Sequence, residues 1–125
     1  DNCTSSVLEY AVQHLNVEHI IICGHTDCGG INALIEGTPE GTKIHDWLNH
    51  ACPVNENKKK TESDSLELET IKENILFQAN NLLTFDYISI KKNNNEIKIH
   101  KWLYDIHTGK ISYFDDTDKI WHQLI

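Results

Sequence analysis

Apolar residues near the start of the chain recur at steps of three and four: Val7, Leu8, Ala11, Val12 and Leu15 form the stripe of an amphipathic helix. Ser6 followed by Glu9 has the form of a capping box, with Thr4 and Ser5 as rival caps, and Asn16 suits a helix stop. Val17 leads into Ile20-Ile21-Ile22-Cys23, a continuous β-branched run that predicts a strand buried on both faces of a parallel sheet. The run ends in Gly24-His25-Thr26-Asp27-Cys28-Gly29-Gly30, after which Ile31, Leu34 and Ile35 predict a short helix stopping at Gly37.

Residues 38–64 are polar and hold both prolines; Ile44, Trp47 and Leu48 predict a helical turn or two among them. Residues 55–64, with Lys58-Lys59-Lys60, read as a solvated loop rather than a binding patch. Leu66, Leu68, Ile71, Ile75, Leu76, Ala79, Leu82 and Leu83 give the longest helical pattern. Tyr87-Ile88-Ser89-Ile90 alternates like a strand and 91–95 reads as a turn. Residues 97–104 alternate at period two, His107-Thr108-Gly109-Lys110 signals a hairpin, and Ile111-Ser112-Tyr113-Phe114 is its return strand. Ile120, Trp121 and Leu124 predict a last helix docking on the rest. The order gives an α/β fold: a mixed, mostly parallel β-sheet flanked by helices, with an antiparallel C-terminal hairpin. We expect a single domain over 1–125, with 38–64 as a polar insertion or loop region.

Composition narrows the function. The 125 residues suit one domain that buries roughly two-thirds of its unfolded surface. Nineteen acidic against eleven basic residues, a formal charge of -8, argue against nucleic-acid or anionic-membrane partners. No apolar run approaches the ~18 residues of a membrane span, and the N-terminus lacks the pattern of a signal peptide. There is no methionine, so a processed chain or a piece of a longer one is expected. All eleven basic residues are lysines, so a bidentate guanidinium would have to come from elsewhere. Cys3, Cys23, Cys28 and Cys52 do not have the spacing of a small secreted scaffold; with eight histidines present, metal binding or catalysis in a reducing, cytoplasmic compartment is the expectation, an organelle being an option for a eukaryotic source.

Chemistry is sought beyond the carboxyl end of the predicted inner strand, where open α/β sheets place their sites. His25 and Cys28 lie there on a glycine-flanked loop, and imidazole nitrogen and thiolate sulfur are zinc ligands that a short spacing lets one loop present. Alone the pair is weak, since a histidine at a strand end is often structural. Two ligands also do not complete a catalytic zinc site, which needs three and an open position. His45 and His50 in the polar loop carry no support as the third. Gly24 and Gly29 have the spacing of a phosphate loop, but Gly30 and Ile31 stand where its lysine and hydroxyl belong, so a nucleotide site is set aside.

Residues 6–12, Val17, Ile20-Ile21-Ile22-Cys23-Gly24-His25 and Cys28-Gly29-Gly30 together resemble the central segment of β-class carbonic anhydrases. Glu73-Asn74-Ile75 with Gln78, Asn81 and Leu82 resembles the family's long helix, and 99–106 with Thr108-Gly109-Lys110 its last hairpin, although Lys101 stands where glycine is usual. The resemblance covers most of the chain outside 38–64 and the tail. It implies zinc held by His25, Cys28 and a first cysteine from a Cys-x-Asp-x-Arg motif upstream of Asp1, the motif's aspartate and arginine being the expected catalytic pair. Cys3 does not match that cysteine. By the same resemblance Tyr10 lines the substrate pocket, often across a subunit interface, and the Gly29 amide binds bicarbonate; their plainer readings are a half-buried helix tyrosine and a turn glycine. Asp27 carries no role beyond that of a loop carboxylate.

The implied activity is reversible hydration of carbon dioxide by a carbonate dehydratase, acting as a homodimer or larger homo-oligomer. The chain is expected to be the C-terminal part of such an enzyme and inactive alone. Two alternatives stand beside this: a non-catalytic zinc-binding or interaction module, and a related zinc-dependent hydrolase acting on a relative of carbon dioxide such as carbon disulfide.

Overall fold

In the computed structural model, residues 2–54 and 63–125 are described, with the backbone alone at 63–65. Helix α1 spans Asn2–Glu9 and runs on through one π-helical turn, Tyr10–His14. Strand β1 is His19–His25, followed by α2 (Gly29–Glu36), α3 (Lys43–Leu48), α4 (Ser63–Leu82) and α5 (Asp86–Asn93). Strands β2 (Lys98–Tyr104), β3 (Ile111–Phe114) and β4 (Trp121–Gln123) complete the sheet.

The strand order is β1-β2-β3-β4. β1 and β2 pair in parallel from His19↔Lys98 to His25↔Tyr104, whereas β2–β3 and β3–β4 are antiparallel. The α/β class, the mixed sheet and the C-terminal hairpin stand as read from sequence; among the described residues the balance is one parallel pairing to two antiparallel ones rather than mostly parallel, because the run at 87–90 is helical and the tail adds a strand. Helix α4 lies across β1 and β2. Ile71 and Ile75 of α4 pack there with Ile31 and Leu103, and a second cluster joins Val12, Leu82, Ile88 and Ile97. Ile22 reaches both.

Four local readings change. Ser6 is not a cap: α1 already runs from Asn2, so Thr4 and Ser5 also lie inside it, and the Ser6 hydroxyl donates to the Asn2 carbonyl at 2.8 Å. β1 is not buried on both faces. It is an edge strand whose residues alternate, with Ile20, Ile22 and Gly24 under the helices while Ile21 is 48% exposed and Cys23 is exposed. Tyr87–Ile90 is helical rather than extended. Ile88 and Ser89 both donate to the Phe85 carbonyl, Asp86 opens the helix and Lys91 and Lys92 close it, which suits the helix dipole. A four-residue apolar run does not distinguish strand from helix by periodicity. The tail is strand β4, not a helix: Asp115 and Asp118 accept the Thr117 and Ile120 amides at 2.7 and 2.9 Å, and this turn returns the chain along β3. Of the reading of 55–64 as a loop, 55–62 lie outside the described residues, and Ser63 and Asp64 already belong to α4.

Asn16 does end the first helix. It takes a left-handed φ of 52°, and Lys91 donates to the Val12 carbonyl and the Asn16 side chain at 2.9 and 3.0 Å. Lys101, in mid-strand, is only 8% exposed; its ammonium lies over the Phe114 ring and pairs with Asp116. On the bare face of the sheet, His19 Nδ1 and His100 Nε2 are 2.9 Å apart, a hydrogen bond that one of the two rings must donate.

Gly24 marks the tightest approach of α4 to the sheet. A Cβ there would stand 2.7 and 2.8 Å from Cδ1 and Cγ1 of Ile75 and 3.1 Å from Cγ2 of Ile71. We expect Gly24→Ala to destabilise the chain by about 1–3 kcal/mol in urea unfolding, with a smaller loss in an Ile75→Val background, which removes the closest carbon. Partial burial, with His19 and Lys98 nearby, holds the His100 imidazole below its ordinary range. The unfolded state then binds the extra proton, so stability falls as pH drops from about 6.5 through the lowered folded value. Urea midpoints at pH 7.5 and 5.5 should separate for the wild type and converge for His100→Gln.

Candidate metal centre

β1 delivers His25 to the end of the sheet, and the backbone pairing continues one step further, with the Thr26 amide donating to the Tyr104 carbonyl at 3.0 Å. Two residues on, Cys28 takes an extended conformation as the N-cap of α2. The glycines after it let α2 start at once, and their amides are among those a helix leaves unpaired at its first turn. His25 is exposed and Cys28 half-buried.

The His25 ring is oriented from within its own loop. Its Nδ1 lies 2.8 Å from the Thr26 carbonyl oxygen, which can only accept, so Nδ1 carries a proton and Nε2 is the nitrogen that holds the lone pair in the neutral ring. This is how metal-ligating imidazoles are ordinarily held: the outer nitrogen donates to a carbonyl or carboxylate. Cys28 is fixed through its backbone, its amide donating to Glu67 of α4 at 3.0 Å. The Glu67 carboxylate thus caps α2 from a different element, a contact that sequence spacing does not announce.

His25 and Cys28 therefore fit two ligand positions of a zinc centre: a neutral nitrogen with its tautomer fixed, and a sulfur at a helix N-terminus, whose partial positive charge suits an anionic ligand. Among the described residues no third ligand joins them. The one set of three metal-binding side chains with ligand atoms within 4.8 Å of one another is Asp115, Asp118 and His122, in and beside the β3–β4 turn. His122 is there already paired with Asp118 at 2.7 Å. Cys3 is exposed on α1, and His45 is engaged with the Thr38 hydroxyl at 3.1 Å.

The remaining candidates divide. Gly29 is exposed at the first turn of α2, and no neighbouring atom lies within 4 Å of where its Cβ would be. Tyr10 is 59% exposed and stacks on His14, 5.5 Å between ring centroids. It does not line the 680 Å³ groove into which Cys28 faces. That groove runs along β1 between α1, α3 and α4, with Ile20, Trp47, Leu48 and His50 among its walls. Trp47 and His50 come from the polar stretch after α2, which the sequence reading left without a role.

On its other side the ligand loop is tied to the β2–β3 loop. The Ile106 amide donates to the Thr26 hydroxyl at 3.1 Å, and His107 Nε2 meets Asp27 Oδ2 at 2.5 Å. Asp105 anchors this loop: the Thr108 hydroxyl and the His107 amide donate to its carboxylate and hold it below the ordinary carboxylate range.

A family model described as carbonic anhydrase matches residues 1–111. A carbonic anhydrase of Helicobacter pylori strain 26695 is 37% identical over 118 residues, covering 86% of this chain and 53% of its own length. Among solved structures, the β-carbonic anhydrase CcaA superposes with a TM-score of 0.86 at 28% identity, covering 95% of this chain and 61% of the other. One of two tetrameric β-carbonic anhydrases of Sordaria macrospora gives 0.80 at 27% identity, with 90% and 60% covered. The chain belongs to the carbonic anhydrase family, in its β class. It spans about half the length of the curated relatives it matches.

Because Glu67 supplies the cap of α2, Glu67→Ala should lower stability by about 1 kcal/mol in urea unfolding. Glu67→Gln, whose amide oxygen can still accept from Cys28, should lose less.

Proposed function

We propose that this chain carries the His25–Cys28 part of the zinc centre of a β-carbonic anhydrase, which interconverts carbon dioxide and bicarbonate. The observation that carries the reading is the ring of His25. Its Nδ1 is committed to the Thr26 carbonyl, so a free Nε2 stands three residues before Cys28 at the end of β1. Zinc, when bound, polarises and acidifies water so that carbon dioxide can be hydrated at neutral pH, a principle for which carbonic anhydrase is itself the standard example.

The chain's own residues would do the following. His25 Nε2 and the Cys28 thiolate hold the ion. Glu67 and the β2–β3 loop keep the two ligands at their spacing. The apolar walls beside Cys28 suit a small nonpolar molecule such as carbon dioxide. The Gly29 amide, in the first turn of α2, would bind the negative charge of bicarbonate. A third ligand, the catalytic aspartate and arginine, and the surroundings of Tyr10 would come from further sequence or a second copy. Assembly as a homo-oligomer accords with the tetrameric Sordaria relatives and with the uncovered face of the sheet, where Ile21 is 48% and Tyr104 39% exposed. A second reading, a zinc-binding module without catalysis, is favoured by one observation: no set of three ligating side chains that includes His25 or Cys28 comes together among the described residues.

Metal analysis and stopped-flow hydration on one preparation decide between these. We expect zinc binding that Cys28→Ser and His25→Ala each abolish, carbon dioxide hydration at the zinc-free background for the 125 residues alone, and hydration well above it once a Cys-x-Asp-x-Arg segment is joined upstream. Zinc retained by both variants would refute the site. A joined protein that binds zinc but does not hydrate carbon dioxide would favour the module.

A further inference from the structure

We propose that His107 and Asp27 form a latch by which the β2–β3 loop positions the ligand-bearing loop, an inference that rests on the zinc site proposed above. The two residues lie 80 positions apart, and His107 Nε2 meets Asp27 Oδ2 at 2.5 Å. Asp27 is the residue immediately before Cys28, and it holds a left-handed φ of 53°. An L residue keeps that conformation where its surroundings support it. The His107 ring supplies that support from outside the loop.

The latch has a fixed base. The Asp105 carboxylate takes the His107 amide at 2.9 Å and the Thr108 hydroxyl at 2.6 Å, and Gly109 donates back to the Asp105 carbonyl at 2.8 Å. The same loop reaches the other ligand through Thr26. Its side chain accepts the Ile106 amide, its backbone amide donates to Tyr104, and its carbonyl orients the His25 ring. One hairpin loop thus sets the approach to both ligands, through Thr26 toward His25 and through Asp27 toward Cys28. His107 and Asp27 are positioning residues: neither contributes an atom to the metal.

The pair is solvated, its side chains 68% and 55% exposed, so the effect belongs to the scale of exposed charge pairs rather than of buried outer-shell partners. Zinc affinity of the 125-residue chain, by competition with a chromophoric chelator, is the measurement. His122→Ala is carried throughout to silence the Asp115–Asp118–His122 cluster. His107→Ala and Asp27→Ala should each weaken zinc about twofold to fivefold. The double variant should be no weaker than either single, and His107→Gln, which keeps an N–H for Asp27, should recover most of the loss. Unchanged affinity in His107→Ala, or losses that add in the double variant, would overturn the latch. Failure of the zinc site itself looks different: the unsubstituted chain would then bind no zinc that Cys28→Ser removes. Amide exchange at residues 28–30 decides the latch in that event, with faster exchange in His107→Ala sustaining it and unchanged exchange overturning it.

Discussion

The parallel pairing of β1 with β2 is the constraint on which the rest depends. Seven residues in register, from His19↔Lys98 to His25↔Tyr104, bring two distant stretches of chain to the same end of one sheet. Parallel strands cannot be joined by a tight turn, so the chain between them must cross over, and here it does so as α2 to α5. The crossover places α4 against the strands, and its isoleucines come so close that Gly24 must lack a side chain. Because both strands point the same way, the loop after β1 and the loop after β2 emerge side by side. The ligand loop is thus braced by residues that no local pattern links to it.

How much of this the sequence disclosed follows from where each stabilising interaction lies. Helices α2 and α4 and strand β2 were legible because their apolar spacing is local and long enough to be unambiguous. The Tyr87–Ile90 run was not, since four residues fit either period, and the decision came from Phe85, Asp86 and the lysines that flank them. The tail was misread because Ile120, Trp121 and Leu124 suggest a helix while the turn chemistry of Asp115 and Asp118 makes a hairpin. β1 read as doubly buried because its composition is that of an inner strand, whereas here it forms the edge of the sheet.

At the site, His25 and Cys28 were legible from residue type, spacing and position after a strand. Glu67 and His107 were not, because their parts depend on the register of strands and on the crossing of α4. Chemistry that rests on one loop shows in the sequence; support that arrives from other elements shows in the fold. Tyr10 is the converse case. It is marked by resemblance to a pocket often formed across a subunit interface, and within one chain its ring stacks on His14 and does not line the groove beside Cys28.

Lys101 ties the end of the chain to its middle. An ammonium buried in the centre of a sheet needs a counter-ion, and the one it has, Asp116, belongs to the β3–β4 turn, beyond the 111 residues that match the family. Lysine in mid-strand and the final hairpin are thus joined by one contact. Trimming the chain after Phe114 would leave that cation over an aromatic ring with its counter-ion gone.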